Sequence, residues 1–123
     1  MTAEASPADE IAMFFEGAER GALMLKRCID TGKAFHYPRE RSPFTGGKTE
    51  WFEATGKGSI YSCSLSHRAD PPYCLAYVKL DEGPIMMTNI VADDLTAVAI
   101  GQRVQVTFQQ GPDGRQIPFF TPE

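Results

Sequence analysis

Cys28-Ile29-Asp30-Thr31-Gly32 has the outline of a metal-binding knuckle, Cys-x-x-Cys-Gly, with Thr31 in place of the second cysteine. Ser42-Pro43-Phe44-Thr45-Gly46 has the outline of a second knuckle with both cysteines replaced. Zinc takes four soft or borderline ligands in a tetrahedron, and two cysteine knuckles supply them as thiolates. Here one thiol remains, and serine and threonine hydroxyls do not ionise readily enough to replace the others. The pattern therefore predicts ribbon geometry without metal. Cys28, Thr31, Ser42 and Thr45 are vestigial positions, and no zinc or other stably bound cofactor is expected.

Catalytic constellations are sparse. His36 and His67 fall in or at the end of expected strands, and Cys63 and Cys74 lie in strands where a free cysteine packs as a small hydrophobe. Cys63 with His67 offers a nucleophile and a base. Strand alternation places them on one face but four residues apart, beyond hydrogen-bond reach. No glycine-rich phosphate loop precedes a helix, and Asp93-Asp94 reads as a capping pair. No catalytic residue is assigned, and the chain is not expected to turn over substrate alone.

Composition narrows the partners. The 123 residues carry 16 acidic and 12 basic side chains, a net charge of -4. That balance opposes general binding to duplex nucleic acid or anionic membranes. The apolar runs Ile85–Met87 and Ala97–Ile100 fall far short of the roughly 18 residues of a membrane span. The acidic first ten residues do not resemble a signal peptide, and three cysteines give no disulfide framework, so a cytoplasmic setting is expected. One segment departs from the average. Residues 26–57 hold seven basic and four acidic side chains, a local excess that marks a solvated surface or an anion site.

The elements that would position these residues are mostly strands. Ser6 is read as a cap and Pro7 as the first turn of a helix carrying Ile11, Phe14, Phe15, Ala18 and Ala22 at helical spacing, weakened at Gly17 and stopped at Gly21. Leu23–Cys28 and Ala34–Tyr37 read as short strands around a turn at Asp30–Lys33. Trp51–His67 reads as one long strand kinked at Gly56-Lys57-Gly58. Tyr73–Leu80 and Pro84–Val91 form a hairpin around Asp81-Glu82-Gly83, and one helical turn follows at Asp93–Val98. Arg103–Gln109 alternates as a half-buried strand, and Gln116–Phe120 reads as a short edge. The expected fold is mainly β with an N-terminal α-helix over residues 1–22, a degenerate zinc-ribbon arm over 23–50, and a five-stranded OB-type Greek-key barrel with its tail over 51–123.

Both knuckles, Tyr37-Pro38-Arg39, Glu50-Trp51, Gly56–Ser62, the Leu80–Gly83 turn, Asn89-Ile90-Val91, Ile100–Val104 and Asp113-Gly114 through Phe119 follow one order and spacing. In that order they resemble the OB-fold proteins with a rubredoxin-like zinc ribbon catalogued as domain of unknown function 35, over about residues 9–120. Of the four cysteines that the resemblance implies, only Cys28 is present. It implies an accessory subunit of a thiolase-like enzyme (thiolase, lyase or aldolase, or acyltransferase) acting on acyl-CoA thioesters in lipid or steroid metabolism. Such a subunit forms a hetero-oligomer with its catalytic partner and shares a CoA thioester with it.

Phe14, Phe15, Phe35, Tyr37, Phe44, Phe119 and Phe120 are more apolar surface than one small barrel hides, and they are expected to form the partner interface. Arg39, Arg41 and Lys48 are expected to meet acidic partner surface or a CoA phosphate. The alternative is an OB module that binds a single-stranded nucleic acid or a small ligand. Residues 51–123 carry five basic and eight acidic side chains, which disfavours nucleic acid.

Overall fold

The computed structural model describes residues 7–36, 38–66 and 68–123, and the side chains from Ile11 onward. The cap read at Ser6, the interface residue Tyr37 and the base His67 lie outside the described residues.

Helix α1 (Pro7–Glu19) leads into three short strands, β1 (Met24–Cys28), β2 (Ala34–Phe35) and β3 (Thr49–Glu53). They pair antiparallel in the order β2-β1-β3, with Lys26 opposite Phe35 on one side and Trp51 on the other. The helix ends in a paired cap. Ala22 N donates to Gly17 O at 2.8 Å and Gly21 N donates to Ala18 O at 3.0 Å, with Gly21 in the left-handed region. Gly17, read from the sequence as a weak point, has a packing role, because a Cβ there would overlap Met24 Cγ. Its bare backbone lets α1 lie against the start of β1.

The remaining strands are β4 (Lys57–Ser66), β5 (Tyr73–Leu80), β6 (Ile85–Ile90), β7 (Arg103–Gln110) and β8 (Gln116–Pro122), with a 3₁₀ turn at Leu95–Ala97 capped by Asp94. They close into a barrel in the order β4-β5-β6-β8-β7, as an OB fold requires. The closing seams are β4 with β7, Gly58 opposite Val104, and the parallel contact of Ile90 with Phe120. Period-2 alternation puts Cys74, Ala76, Val78 and Leu80 of β5 inside, where they pack with Ile60, Met86, Val104 and Phe120.

Four expectations need correction. Trp51–His67 is not one strand: Trp51 and Phe52 belong to β3, Ala54 N still bonds Leu23 O at 2.9 Å, and the barrel starts only at Lys57. The expected arm–barrel boundary at 50/51 therefore cuts a strand of the arm. The last strand is not an edge, since β8 runs to Pro122 between β6 and β7 and barrel closure leaves neither side free. Phe120 is fully buried in the barrel and Phe35 is buried at 8% exposure, so neither offers surface to a partner. Phe35 is covered by Phe44, whose ring meets it edge-on at 6.3 Å. Among the described residues, no helix is long and apolar enough to cross a membrane.

Candidate functional site

The vestigial knuckles do come together. Gly32 N bonds Cys28 O at 2.7 Å, Gly46 N bonds Ser42 O at 2.9 Å, and both glycines take the positive φ that this turn requires. Ser42 Oγ accepts from Phe44 N at 3.0 Å and from Thr45 N at 3.2 Å; Thr31 Oγ1 accepts from Lys33 N at 3.2 Å. With their acceptor sides occupied by knuckle amides, the Ser42 and Thr31 hydroxyls have their protons left for the Cys28 sulfur. Thr45 Oγ1 lies 3.6 Å from that sulfur and donates to Asp30 Oδ2 at 2.8 Å. Bonds from Ser42, then Thr31, lower the buried Cys28 thiol from its ordinary 9.0 to about 6. The donor set is one thiol and three hydroxyls, which does not fit a tetrahedral zinc site. What ties the two knuckles together is a hydrogen-bonded sulfur.

Arg39, Arg41 and Lys48 of the arm are exposed. Arg41 and Lys48 face each other across a β-bridge and line a shallow hollow of about 280 Å³ with Ile29, Glu40 and Thr49. Thr49 Oγ1 donates to the carbonyls of Arg39 and Glu40 at 3.0 and 2.9 Å, which fixes the loop that carries these cations. Elsewhere on the arm Arg27 pairs with Glu50 at 3.0 Å and lies over the Phe52 ring.

The expected aromatic interface is divided by the fold. Phe44 is exposed, Phe14, Phe15 and Phe119 are half-buried, and Phe35 and Phe120 are interior. Six of the exposed large hydrophobic side chains gather elsewhere, on the outer face of β4, β5 and β6. Tyr73, Leu75 and Tyr77 alternate outward along β5, with Met87 opposite Tyr77 on β6 and Ile85 opposite Lys79. Tyr61 is the extra residue of a β-bulge, since Ile60 pairs with Val78 while Ser62 pairs with Tyr77. These six side chains are 37–61% exposed, and Ser62, Ser64 and Ser66 form the row beside them. Sequence reasoning missed this face, although β5 carried its signal. A strand with apolar residues at odd and even positions alike is suited to cover on both sides.

A cleft adjoins this face. It has a volume of about 410 Å³ and lies between α1, which contributes Ile11, Phe14 and Phe15, and the barrel, which contributes Met86 and Met87 from β6 and Ile117 and Pro118 from β8; His36 and Pro38 close it on the arm side. Phe14 meets the His36 ring edge-on at 6.0 Å, and burial lowers the His36 pKa. Cys74 is buried in the barrel, and burial followed by the neighbouring Cys63 raises its thiol. Cys74 therefore lacks the depressed pKa of an activated nucleophile.

Residues 51–109 match the family profile of the ChsH2 C-terminal OB-fold domain. A DUF35 domain-containing scaffold protein of Methanocaldococcus jannaschii is 33% identical over 108 residues, which cover 78% of this chain and 77% of that one. A probable enoyl-CoA hydratase alpha subunit of Thermomonospora curvata is 30% identical over 118 residues, covering 90% of this chain and 37% of its own length. The chain thus spans little more than a third of that relative. The solved structure of the Ltp2-ChsH2(DUF35) aldolase superposes with a TM-score of 0.80 at 28% identity, over 92% of this chain and 94% of the other.

Proposed function

Because the chain belongs to the DUF35 family of OB-fold proteins, we propose that it is a non-catalytic accessory subunit of an acyl-CoA-processing enzyme, docked on a thiolase-like or acyltransferase catalytic subunit in a cytoplasmic hetero-oligomer. One observation supports this most directly. Tyr61, Tyr73, Leu75, Tyr77, Ile85 and Met87 occupy one outer face of adjacent strands, with Ser62, Ser64 and Ser66 beside them and Lys79 as the charge at one end. Protein interfaces are enriched in tyrosine and methionine and depleted of charge at their centres. Relatives named as a hydratase subunit, a scaffold and an aldolase component support a catalytic partner of this kind. Exposed Arg39, Arg41 and Lys48 then serve as the rim that meets acidic surface or a CoA phosphate, and Phe14, Phe15, Phe44 and Phe119 extend the contact.

In this reading the ribbon arm works without zinc, held by the Cys28 hydroxyl cluster, and no catalytic group resides on the chain.

A second reading draws on the same face. OB folds bind oligonucleotides on their second and third strands, here β5 and β6, and the two tyrosines there, Tyr73 and Tyr77, would stack bases. Charge argues against it, because the barrel carries more carboxylates than cations and Lys79 is the cation of this sheet face. Affinity purification from the native cell separates the two readings. A co-purifying acyl-CoA enzyme supports the subunit role. Salt-sensitive binding of a single-stranded oligonucleotide with no protein partner overturns it.

A further inference from the structure

The outer face of β4, β5 and β6 is a twisted antiparallel sheet. The surface that matches its pitch is another sheet of the same twist, packed face to face about 10 Å away. A second copy of this chain carries one. Along β5, Tyr73, Leu75, Tyr77 and Lys79 point outward, and Ala76 is buried at their midpoint. A two-fold axis over Ala76, running across the strands, sets β5 antiparallel on β5. Lys79 of each copy then lies over the Tyr73 ring of the other, a cation on an aromatic face, and Leu75 meets Tyr77. The same axis brings the large Tyr61 over the small Ser64 and Ser66 of β4. An axis along the strands would instead stack Lys79 on Lys79. No carboxylate occurs in residues 62–66, 73–79 or 85–89, and the loop before Tyr73 carries Arg68 and Asp70 in balance. Lys79 is exposed and makes no ion pair among the described residues.

We propose that this face closes on a second copy of the chain, as a two-fold dimer with its axis over Ala76, whenever no catalytic subunit covers it. The contact takes in about a dozen residues a side, roughly half of the 20–30 in a standard stable interface. It is therefore a weak dimer, dissociating in the micromolar range and yielding the face to a partner with more surface to offer. The dimer rests on the layout of the face alone; its exclusion by a catalytic subunit rests on the accessory-subunit reading. Self-association keeps the six exposed apolar side chains out of water until the hetero-complex assembles.

Sedimentation equilibrium of the full chain from about 1 μM to about 0.5 mM tests this. A reversible monomer–dimer equilibrium that stops at the dimer is expected, because a two-fold face is consumed when it pairs. Each substitution counts twice across the axis, so Tyr77→Asp should weaken the dimer by roughly thirty-fold or more, while Phe44→Asp on the arm leaves it unchanged. The register has its own test. Lys79→Glu removes both cation–aromatic contacts and should weaken the dimer about ten-fold; adding Tyr73→Lys should restore it. Tyr73 and Lys79 of one chain stand about 20 Å apart along β5, so the rescue can come only from the second copy. Far-UV circular dichroism matching the natural chain confirms that the variants are folded. The proposal is overturned if the chain stays monomeric at about 0.5 mM, if its mass climbs past the dimer, if Tyr77→Asp leaves the dimer intact, or if Tyr73→Lys fails to rescue Lys79→Glu. A monomeric chain that still co-purifies with a catalytic subunit loses the dimer and keeps the subunit role. A dimer that captures no catalytic subunit does the opposite.

Discussion

The Ser42 hydroxyl, the main influence that lowers the Cys28 thiol, and that sulfur belong to two knuckles that lie 14 residues apart in the chain. The same oxygen accepts two amides of its own turn. Hydrogen bonds from hydroxyls to the thiolate contribute about 1.5–3 kcal/mol each, below the binding energy of a structural zinc. The arm therefore relies on additional packing, such as Phe44 over Phe35 and Lys26 over Trp51.

The thiol makes that link dependent on pH. In the folded chain Cys28 loses its proton near pH 6, and in the unfolded chain near 9. Between those values the unfolded state carries the extra proton, so stability rises with pH across the window and is lost as pH falls through about 6. His36 acts in the same direction lower down: its folded pKa lies below 6.5, so acid favours the unfolded chain, which binds the proton first. Urea unfolding from pH 5 to pH 9 should show a midpoint rising with pH. Cys28→Ser should flatten the part between 6 and 9 and leave the acid limb. An unchanged slope in that variant refutes the hydroxyl-stabilised thiolate.

The knuckle backbones are already shaped for a metal, so restoring the donors should restore the site. Thr31→Cys, Ser42→Cys and Thr45→Cys together would place four thiols where the hydroxyl cluster now converges. Purified without chelator, the triple variant should hold one zinc per chain by elemental analysis and melt at a higher temperature, while the natural chain holds none. One zinc in the natural chain would mean that His36 or a carboxylate completes the set. No zinc in the triple variant would mean that the knuckles have drifted from ribbon geometry.

Gly17→Ala sets two effects of known size against each other. Alanine in a helix interior gains about 1 kcal/mol over glycine. The new methyl would overlap Met24 Cγ and crowd the carbonyl of Ala22, and overpacking of this kind costs about 1–3 kcal/mol. Crowding from backbone on one side leaves little room to yield, so the net is a loss of about 1 kcal/mol by chemical denaturation. A stabilised variant would show that α1 does not rest on β1 as described.

Much of this architecture is legible from local rules. Tyr73–Leu80 is a strand with the bounds that Pro71-Pro72 and the Asp81–Gly83 turn set, and the Asp94 cap and the left-handed glycines sit where turn chemistry puts them. The misreadings have a common cause. Trp51–His67 reads as one strand with a kink at Gly56-Lys57-Gly58, and the break into two strands comes from Ala54 pairing with Leu23, a contact 31 positions away. Phe35 and Phe120 look like surplus aromatic surface until closure of the sheets buries them. The outer face of β4–β6 escapes notice because β5 is apolar at odd and even positions alike, and only pairing with β4 and β6 gathers its outer row with Tyr61, Ile85 and Met87. The knuckles are the reverse case. Their cysteines are gone, yet turn glycines and hydroxyls preserve the site's outline in sequence and in space.

The docking face and the barrel interior should respond differently to substitution. Phe120 is fully buried among Ile90, Val104 and Val106, so Phe120→Ala should cost about 3–5 kcal/mol and weaken partner binding only by lowering the folded fraction. Tyr77 and Met87 stand opposite each other on the outer face, 45% and 57% exposed. An aspartate at either position places a charge in water while the chain is alone, so Tyr77→Asp and Met87→Asp should shift stability by no more than about 1 kcal/mol. In the complex the same charge would be buried without a partner, and the loss should reach about 2 kcal/mol or more, a thirty-fold drop in co-purification with the catalytic subunit. Substituting Phe44→Asp on the arm in parallel weighs the ribbon's contribution. Folded Tyr77→Asp and Met87→Asp chains that still capture the partner at full yield would place the interface on the arm and helix instead of the barrel.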